Sequence, residues 1–223
     1  MSHLPEFTVS WFSTEEDADC YIVVDVFRAT SFIVTALALG ARAVIPAKST
    51  REAFLLRREG DLLAGESKTQ NIRGFDMNNS PSELFDRAGA VKGRTIIHRT
   101  SAGTKVIRSL EGKNVLTGSV MNAGAVKKRI EQERYEKVCF VCCGLEGREF
   151  ALEDLYGAGC IAGKWRPAND FAIMSKRVRE EDVKVCTGAQ RLKAKGYEKD
   201  IALCLNKDAF EVCPVLNDKA IIL

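Results

Sequence analysis

The stretch Tyr-Ile-Val-Val-Asp-Val-Phe-Arg-Ala-Thr, residues 21–30, decides the fold class. Its first six residues are almost continuously apolar and rich in β-branched side chains, and residues 138–142 repeat this pattern. Such runs are typical of strands that helices cover on both faces of a sheet. We therefore expect both segments to be central strands of an α/β protein.

Around these two segments, short strand patterns alternate with longer helical patterns. The sequence predicts strands at 7–11, 20–26, 42–46, 61–64, 94–98, 113–116 and 137–142, and helices at 30–39, 50–58, 81–88, 103–110, 122–133 and 150–165. Beyond residue 168 the pattern favours helices, with a last strand at 220–223. We expect an α/β fold with a layered mixed sheet flanked by helices. It would form either one domain over residues 1–223 or two closely packed halves that divide near 118–122.

Composition argues against several classes of protein. A net charge of +3 over 223 residues is small for a nucleic-acid-binding protein. No apolar run reaches the roughly 20 residues of a membrane-spanning helix, so we expect no membrane partner. The first residues do not form an export signal. Five cysteines lie inside apolar runs, as buried reduced thiols do, which favours the cytoplasm; they are Cys20, Cys139, Cys142, Cys143 and Cys204.

Asp25 and Arg28 follow the first central strand directly, where ligand sites of α/β sheets gather. A carboxylate at the end of an apolar strand is costly to desolvate unless it meets a cation. That cation is either Arg28 or a bound metal. In the alternative interpretation, Asp25 and Arg28 form only a structural ion pair, and Thr30 caps the following helix.

Glu66 ends a second strand pattern, and Asn79 and Ser80 precede Pro81 at a predicted helix start. Free backbone N–H groups at such a start suit an anion. It is equally consistent with the sequence that residues 78–80 form only a capped turn.

Residues 99–104, Arg-Thr-Ser-Ala-Gly-Thr, form a third polar turn between a strand and a helix. Its hydroxyl groups, its backbone N–H groups and Arg99 are suited to phosphate or sulfonate oxygens. The turn lacks the glycine-lysine spacing of a P-loop, and helix capping is the alternative explanation.

Residues 143–154 carry the last polar motif, a glycine-rich turn followed by the adjacent acids Glu153 and Asp154. Neighbouring side chains on a helix diverge by about 100°. We therefore expect one acid to bind a metal and the other to orient it. Acids in a first turn also stabilise the helix dipole without any further function.

Three other features do not indicate a site. Cys139 and Cys142 lie three residues apart on a predicted strand, so their side chains should point to opposite faces. His3 and His98 are too isolated to predict a histidine-centred site. The charge run at 177–182 is typical of a solvated helix junction.

The polar segments, in this order, resemble those of the 2-phosphosulfolactate phosphatase family. The resemblance rests on Val-Asp-Val-Phe-Arg-Ala-Thr-Ser (24–31), Gly-Ala-Arg-Ala-Val-Ile-Pro (40–46), Gly-Glu (65–66), Gly-Phe-Asp-Met-Asn-Asn-Ser-Pro (74–81), Thr-Ser-Ala-Gly-Thr (100–104), Asn-Ala (122–123) and Leu-Glu-Asp (152–154). Where the family often has Thr-Asn-Gly-Thr, this chain has Ser101-Ala102-Gly103-Thr104, so no amide role is transferred to that turn.

The resemblance implies Mg²⁺-dependent hydrolysis of 2-phospho-3-sulfolactate to 3-sulfolactate and phosphate, on the route to coenzyme M, by a homodimer. We expect catalysis and Mg²⁺ binding by hard carboxylate oxygens, from Asp25, Glu66, Glu153 and Asp154. We expect the small anionic substrate to be bound by Arg28, Asn79, Ser80, Arg99, Ser101, Gly103, Thr104, Gly147 and Arg148.

Direct attack by water is favoured over an aspartyl-phosphate at Asp25. Residues 26–28 lack the second aspartate, two positions on, that haloacid-dehalogenase-type phosphatases use. Two alternatives to the proposed activity stay open. One is a phosphatase of another small phosphorylated carboxylic acid, and the other is a non-catalytic anion-binding protein.

Overall fold

The computed structural model describes residues 4–223, so His3 lies outside the described residues. Its strands are β1 (Glu6–Trp11), β2 (Cys20–Val24), β3 (Ala43–Pro46), β4 (Leu62–Ser67), β5 (Gln70–Asn71), β6 (Thr95–Arg99), β7 (Val115–Gly118), β8 (Lys137–Cys142), β9 (Arg166–Pro167), β10 (Val215–Asn217) and β11 (Ala220–Ile222). Its helices are α1 (Ala29–Ala38), α2 (Thr50–Leu56), α3 (Pro81–Asp86), α4 (Ala88–Val91), α5 (Gly103–Ser109), α6 (Ala123–Glu133), α7 (Leu152–Ala162), α8 (Asp170–Ser175), α9 (Glu180–Val183), α10 (Thr187–Lys193) and α11 (Glu198–Cys204).

The strands form one mixed sheet in the order β5-β4-β6-β3-β11-β10-β7-β2-β8-β1-β9. β2 lies between β7 and β8, and β8 lies between β2 and β1, all in parallel register. Every residue of β2 is buried. The α/β fold with a layered mixed sheet and the two central strands are therefore confirmed.

Side chains of the central strands alternate between two apolar cores, one on each face of the sheet. On one face, Ile22 and Phe140 pack in a core that includes Leu155 of α7. On the other face, Val23 packs in a core that includes Phe32 of α1. This alternation buries both faces, which explains the continuous apolar runs in the sequence.

The cysteines follow the same alternation. Cys139 belongs to one core and Cys142 to the other, so the prediction that they point to opposite faces is confirmed. The five cysteines predicted to be buried are buried, and all eight, which lie within residues 4–223, are free thiols.

The structure differs from the predicted elements mainly at their ends. The strand predicted at 20–26 ends at Val24, because the chain turns at Asp25 into α1. The helix predicted at 81–88 ends at Asp86, because Arg87 leaves the helical conformation, and the short helix α4 begins at Ala88. The predicted helix at 150–165 is shorter, and β10 was not predicted because its three residues carry no periodic signal.

The hairpin of β10 and β11 lies in the interior of the sheet, between β7 and β3. One residue pair joins it to each neighbour, Val215 with Leu116 and Ile221 with Val44. Strands on both sides of residues 118–122 belong to this one sheet, and the division into domains stays a prediction.

No helix within residues 4–223 is long and apolar enough to cross a membrane. The charge run at 177–182 covers the junction between α8 and α9 and most of α9, and Arg179 is exposed, as predicted for a solvated junction.

Candidate active site

A pocket forms where the ends of β2, β4 and β8 and the loop after β6 meet the helices α7 and α10. All four acids predicted for catalysis line it, namely Asp25, Glu66, Glu153 and Asp154. Each of them is at least nine-tenths buried. Within residues 4–223, none of these four carboxylates forms an ion pair with a lysine or arginine. The pocket therefore concentrates acidic groups that protein cations do not pair.

Asp25 is held at the junction of β2 and α1. Its Oδ1 accepts a hydrogen bond from the Ala29 N–H at 3.1 Å, and Thr30 Oγ1 bonds to the Asp25 backbone. Its Oδ2 accepts no hydrogen bond from the described residues. Gly103 at the start of α5 lies against this oxygen, and a Cβ there would come within 2.9 Å of it. Glycine thus leaves room for Oδ2 at the pocket.

Glu66 joins β4 to the loop after β6. Its Oε1 accepts a hydrogen bond from the Ser101 N–H at 2.6 Å, and its Oε2 accepts from the Thr69 N–H at 2.6 Å and the Ser101 hydroxyl at 3.1 Å. Arg99 donates to the Glu66 carbonyl oxygen rather than to its carboxylate. These contacts fix the polar turn that the sequence predicted for anion binding.

Glu153 and Asp154 make different contacts. Asp154 accepts from the Val26 N–H with Oδ1 and from the Gly144 N–H with Oδ2, both at 2.8 Å. It therefore ties the end of β2 to the end of β8. Glu153 instead accepts from the Cys186 thiol at 3.2 Å.

Burial raises the pKa values of three of these acids. Burial is the largest cause for Asp25, whose pKa rises to about 7, and the charges of Glu66 and Glu153 add to the effect. Burial also raises the pKa of Glu153, and it raises that of Asp154 well above its ordinary range with contributions from Asp25 and Glu153. Carboxylates that disfavour one another's charge in this way would be stabilised by a bound cation.

Two arginines line the pocket, and each already has an acidic partner. Arg28 is 2 % exposed, and its Nη1 donates to Asp200 Oδ2 at 2.5 Å. Its guanidinium also lies 4.1 Å from the centre of the Tyr197 ring. Arg28 therefore does not pair with Asp25, so the alternative of a structural Asp25–Arg28 ion pair is wrong. Arg191, from α10, pairs with Glu149 at the pocket entrance.

Asn79 lines the pocket, and His98 lies behind it. His98 is fully buried and stacks on Phe32 with ring centroids 4.5 Å apart. Its Nε2 is 2.9 Å from Asn79 Oδ1, whereas its Nδ1 has no partner among the described residues. Burial lowers the pKa of His98 to about 3, so the ring is neutral at physiological pH. We assign the proton to Nε2, because a buried unpaired N–H would cost more than an unpaired lone pair.

Of the residues predicted to bind the substrate, Arg28, Asn79 and Ser101 line the pocket. Six others do not: Ser80, Arg99, Gly103, Thr104, Gly147 and Arg148. Ser80 caps α3 and donates to Asp200. Thr104 exchanges hydrogen bonds with Thr100 and stabilises the turn.

Gly147 and Arg148 lie beyond the pocket lining. A Cβ at Gly147 would approach only Ala102, at 3.7 Å, and Arg148 is exposed. These residues belong to the turn that carries Glu146 and Glu149 around the entrance.

The last third of the chain contributes to the pocket, although its sequence pattern does not indicate this. Arg191 lines the pocket, Gly188 packs against Glu153, and Asp200 holds Arg28. These residues occur on short helices whose polar pattern is typical of solvated surfaces. No spacing in the sequence distinguishes them from their exposed neighbours.

The pocket carboxylates suit a Mg²⁺ ion that also takes ligands from the substrate and from water. Within residues 4–223, no three acidic, histidine or cysteine side chains are arranged as a complete metal site. Mg²⁺ commonly binds one or two carboxylates together with substrate phosphate and water, and does not require a cage of protein ligands. Asp25 Oδ2 and the Glu153 carboxylate are the best placed, because both oxygens of Glu66 and of Asp154 already accept from backbone amides.

Comparison with known proteins identifies the family of this chain. The family model described as 2-phosphosulpholactate phosphatase matches residues 7–219. A protein of Thermotoga petrophila named "Probable 2-phosphosulfolactate phosphatase" is 37 % identical over 211 residues, covering 91 % of each chain. Proteins with the same name from Caldanaerobacter subterraneus and Clostridium acetobutylicum are 36 % and 33 % identical, covering 88 % and 90 % of this chain and 87 % and 91 % of their own. The chain therefore belongs to the 2-phosphosulfolactate phosphatase family.

Proposed function

We propose that this chain hydrolyses 2-phospho-3-sulfolactate to 3-sulfolactate and phosphate with Mg²⁺ as its cofactor. The observation that carries the proposal is the convergence of four buried carboxylates in one pocket of a chain from this family. Three segments far apart in the sequence supply them, and protein cations leave all four unpaired. A non-catalytic anion-binding protein would have no need of four converging carboxyl groups, which repel an anion when they are ionised.

Some pocket residues would contact Mg²⁺ or the substrate, and others hold the strand ends in place. Asp25 Oδ2 accepts no hydrogen bond from the described residues, so it would hold Mg²⁺ together with the Glu153 carboxylate. Glu66 and Asp154 hold the ends of the strands in place through backbone amides. The side-chain NH2 group of Asn79 offers a hydrogen-bond donor to oxygens of the substrate, whereas both donors of Ser101 already bond to Glu66. Bound Mg²⁺ would neutralise phosphoryl charge and position the attacking water.

Phosphate release from synthetic 2-phospho-3-sulfolactate tests the proposal. We expect turnover with Mg²⁺, loss of turnover with EDTA, and recovery when Mg²⁺ is restored. Asp25→Asn should lower the rate at least about a hundredfold, as expected when the groups that position the reacting atoms are lost. Asp182→Asn, at an exposed ion pair, is the control and should keep the parent rate. Equal rates with and without metal would reject the Mg²⁺ assignment.

The two alternatives give different results. Faster release from 2-phospholactate or phosphoglycolate than from 2-phospho-3-sulfolactate would indicate another phosphorylated acid as the substrate. Thermal stabilisation by 3-sulfolactate without release of phosphate from any ester would indicate a binding protein. Trapping a phosphorylated Asp25 would contradict direct attack by water.

A place on the route to coenzyme M, a cytoplasmic location and a homodimer complete the proposal. They rest on the family resemblance, and the free thiols support a reducing compartment. Light scattering coupled to size-exclusion chromatography tests the dimer, since a monomer would elute at the mass of one chain, 24.6 kDa.

A further inference from the structure

Arg191 and Glu149 form an ion pair at the pocket entrance. The Arg191 Nη2 donates to both carboxylate oxygens of Glu149, at 3.1 and 3.0 Å. The side chains are 39 % and 56 % exposed, respectively. Water screens a pair of this kind, so it contributes little to stability and can exchange partners readily.

Arg191 is the accessible cation of the pocket. Only Arg28 and Arg191 supply positive charge to the pocket lining within residues 4–223. Arg28 is buried and bound to Asp200, and Asp200 also accepts hydrogen bonds from Ser80 and Ser82 at the beginning of α3. A guanidinium bound in this way is not free to move toward a ligand. Arg191 can leave Glu149 without leaving a buried charge unpaired, because both side chains are already in contact with water.

The chemistry of the substrate indicates which group reaches the entrance. In 2-phospho-3-sulfolactate, the phosphate ester and the carboxylate are both attached to the second carbon. The sulfonate is attached to the third carbon, one bond farther away. With the phosphoryl group beside Asp25, the sulfonate is therefore the anionic group that extends farthest from it.

We propose that Arg191 is a specificity-determining residue that exchanges Glu149 for the sulfonate of the substrate. The proposal rests on the proposed function and adds a binding role for a residue of the C-terminal third. Glu149 would then act as a competitor that the substrate displaces, which lowers the affinity for anions lacking a well-placed second charge. Arg191 also opposes part of the rise in the pKa of Glu153 that burial causes, so its loss can alter kcat as well as KM.

Two substitutions with opposite expected effects test this role. Arg191→Gln should raise KM for 2-phospho-3-sulfolactate at least about tenfold, the loss expected for a charge-assisted hydrogen bond. For 2-phospholactate, which has hydrogen in place of the sulfonate, KM should change less than about twofold. Glu149→Gln should lower KM for 2-phospho-3-sulfolactate, because the competitor has lost its charge. Arg191→Lys should restore part of the affinity.

Other outcomes would overturn the assignment. An equal change of kcat/KM for both substrates in Arg191→Gln would indicate a merely structural role. A higher KM in Glu149→Gln would show that Glu149 supports binding and does not compete with it. If even the parent chain releases no phosphate, the proposed function fails, and calorimetric binding of 3-sulfolactate then decides the role of Arg191. Equal dissociation constants of 3-sulfolactate for the parent and for Arg191→Gln would reject the role of Arg191. No binding of 3-sulfolactate to the parent would also reject it.

Discussion

Arg28 and Asp200 lie 172 residues apart in the chain and form an ion pair whose side chains are 1 % and 0 % exposed. The pair joins α11 to the beginning of α1 beside the pocket. Asp200 also accepts hydrogen bonds from Ser80 and Ser82, so the same carboxylate fixes the beginning of α3. One buried acid therefore positions two of the segments that surround the site.

Asp200→Ala should destabilise the fold strongly. It leaves the Arg28 guanidinium buried without its partner, and removal of one member of a buried pair costs about 3–5 kcal/mol. The free energy of unfolding from urea titration measures the effect. Asp182→Ala, which removes an exposed partner of Arg179, is the matched control and should change little. Equal decreases in the free energy of unfolding of the two variants would show that the buried pair stabilises the fold no more than the exposed one.

The Asp25 carboxyl should make stability depend on pH. Its pKa is about 7 in the folded chain, above the ordinary 3.8, so the folded state binds this proton more tightly than the unfolded state does. The free energy of unfolding should therefore fall as pH rises from about 4 to about 7 in the presence of EDTA.

Asp25→Asn should make this fall shallower and should be more stable than the parent above pH 7. Glu153 and Asp154 have pKa shifts of the same sign, so part of the slope should persist. Urea titrations at a series of pH values measure it. A slope identical to that of the parent would mean that Asp25 is not protonated on folding.

Gly188→Ala should impair activity through Glu153. A Cβ at Gly188 would overlap the Glu153 carboxylate, so the acid must move. Misplacement of a group in a catalytic site can lower the rate about tenfold to a hundredfold. Gly89→Ala is the matched control, because Gly89 is also helical and a Cβ there meets nothing within 4 Å. Steady-state phosphate release compares the two, and an unaffected rate in Gly188→Ala would remove Glu153 from the reaction.

His98 should stay neutral, with its proton on Nε2. The chain has two histidines, so in a His3→Asn variant the imidazole signals come from His98 alone. Nitrogen-15 NMR should show one protonated and one unprotonated ring nitrogen that do not change between about pH 5 and pH 8. A midpoint in that range, or a proton on Nδ1, would contradict the contact with Asn79. The Nε2–H donor of His98 binds the Asn79 Oδ1 atom and so leaves the Asn79 NH2 group available to the pocket.

Local pattern predicted the parts of the site that follow strands. Asp25, Glu66 and Asp154 stand where apolar runs or glycine-rich turns end, and such positions can be recognised within a few residues of sequence. Asp200 could not be recognised, because its role depends on a contact with Arg28 that only the tertiary fold creates. Arg191 is likewise one of several basic residues on the helices of its region.

The same distinction applies to the fold. The central strands β2 and β8 were predicted because burial on both faces requires long apolar runs. The position of β10 and β11 within the sheet has no such signal, since short strands are placed by their neighbours. The substrate-binding prediction for the turn at 99–104 likewise could not separate Ser101, which reaches the pocket, from Thr104, which stabilises the turn.

The hairpin of β10 and β11 also determines how the protein tolerates shortening. A chain cut before residue 214 would leave β3 and β7 with unpaired backbone groups along their open sides. Exposed strand edges recruit other molecules, so the shortened chain should form aggregates more readily than it forms a smaller soluble protein. The eight residues from 215 to 222 thus protect the interior of the sheet from intermolecular pairing, although they contribute no side chain to the pocket.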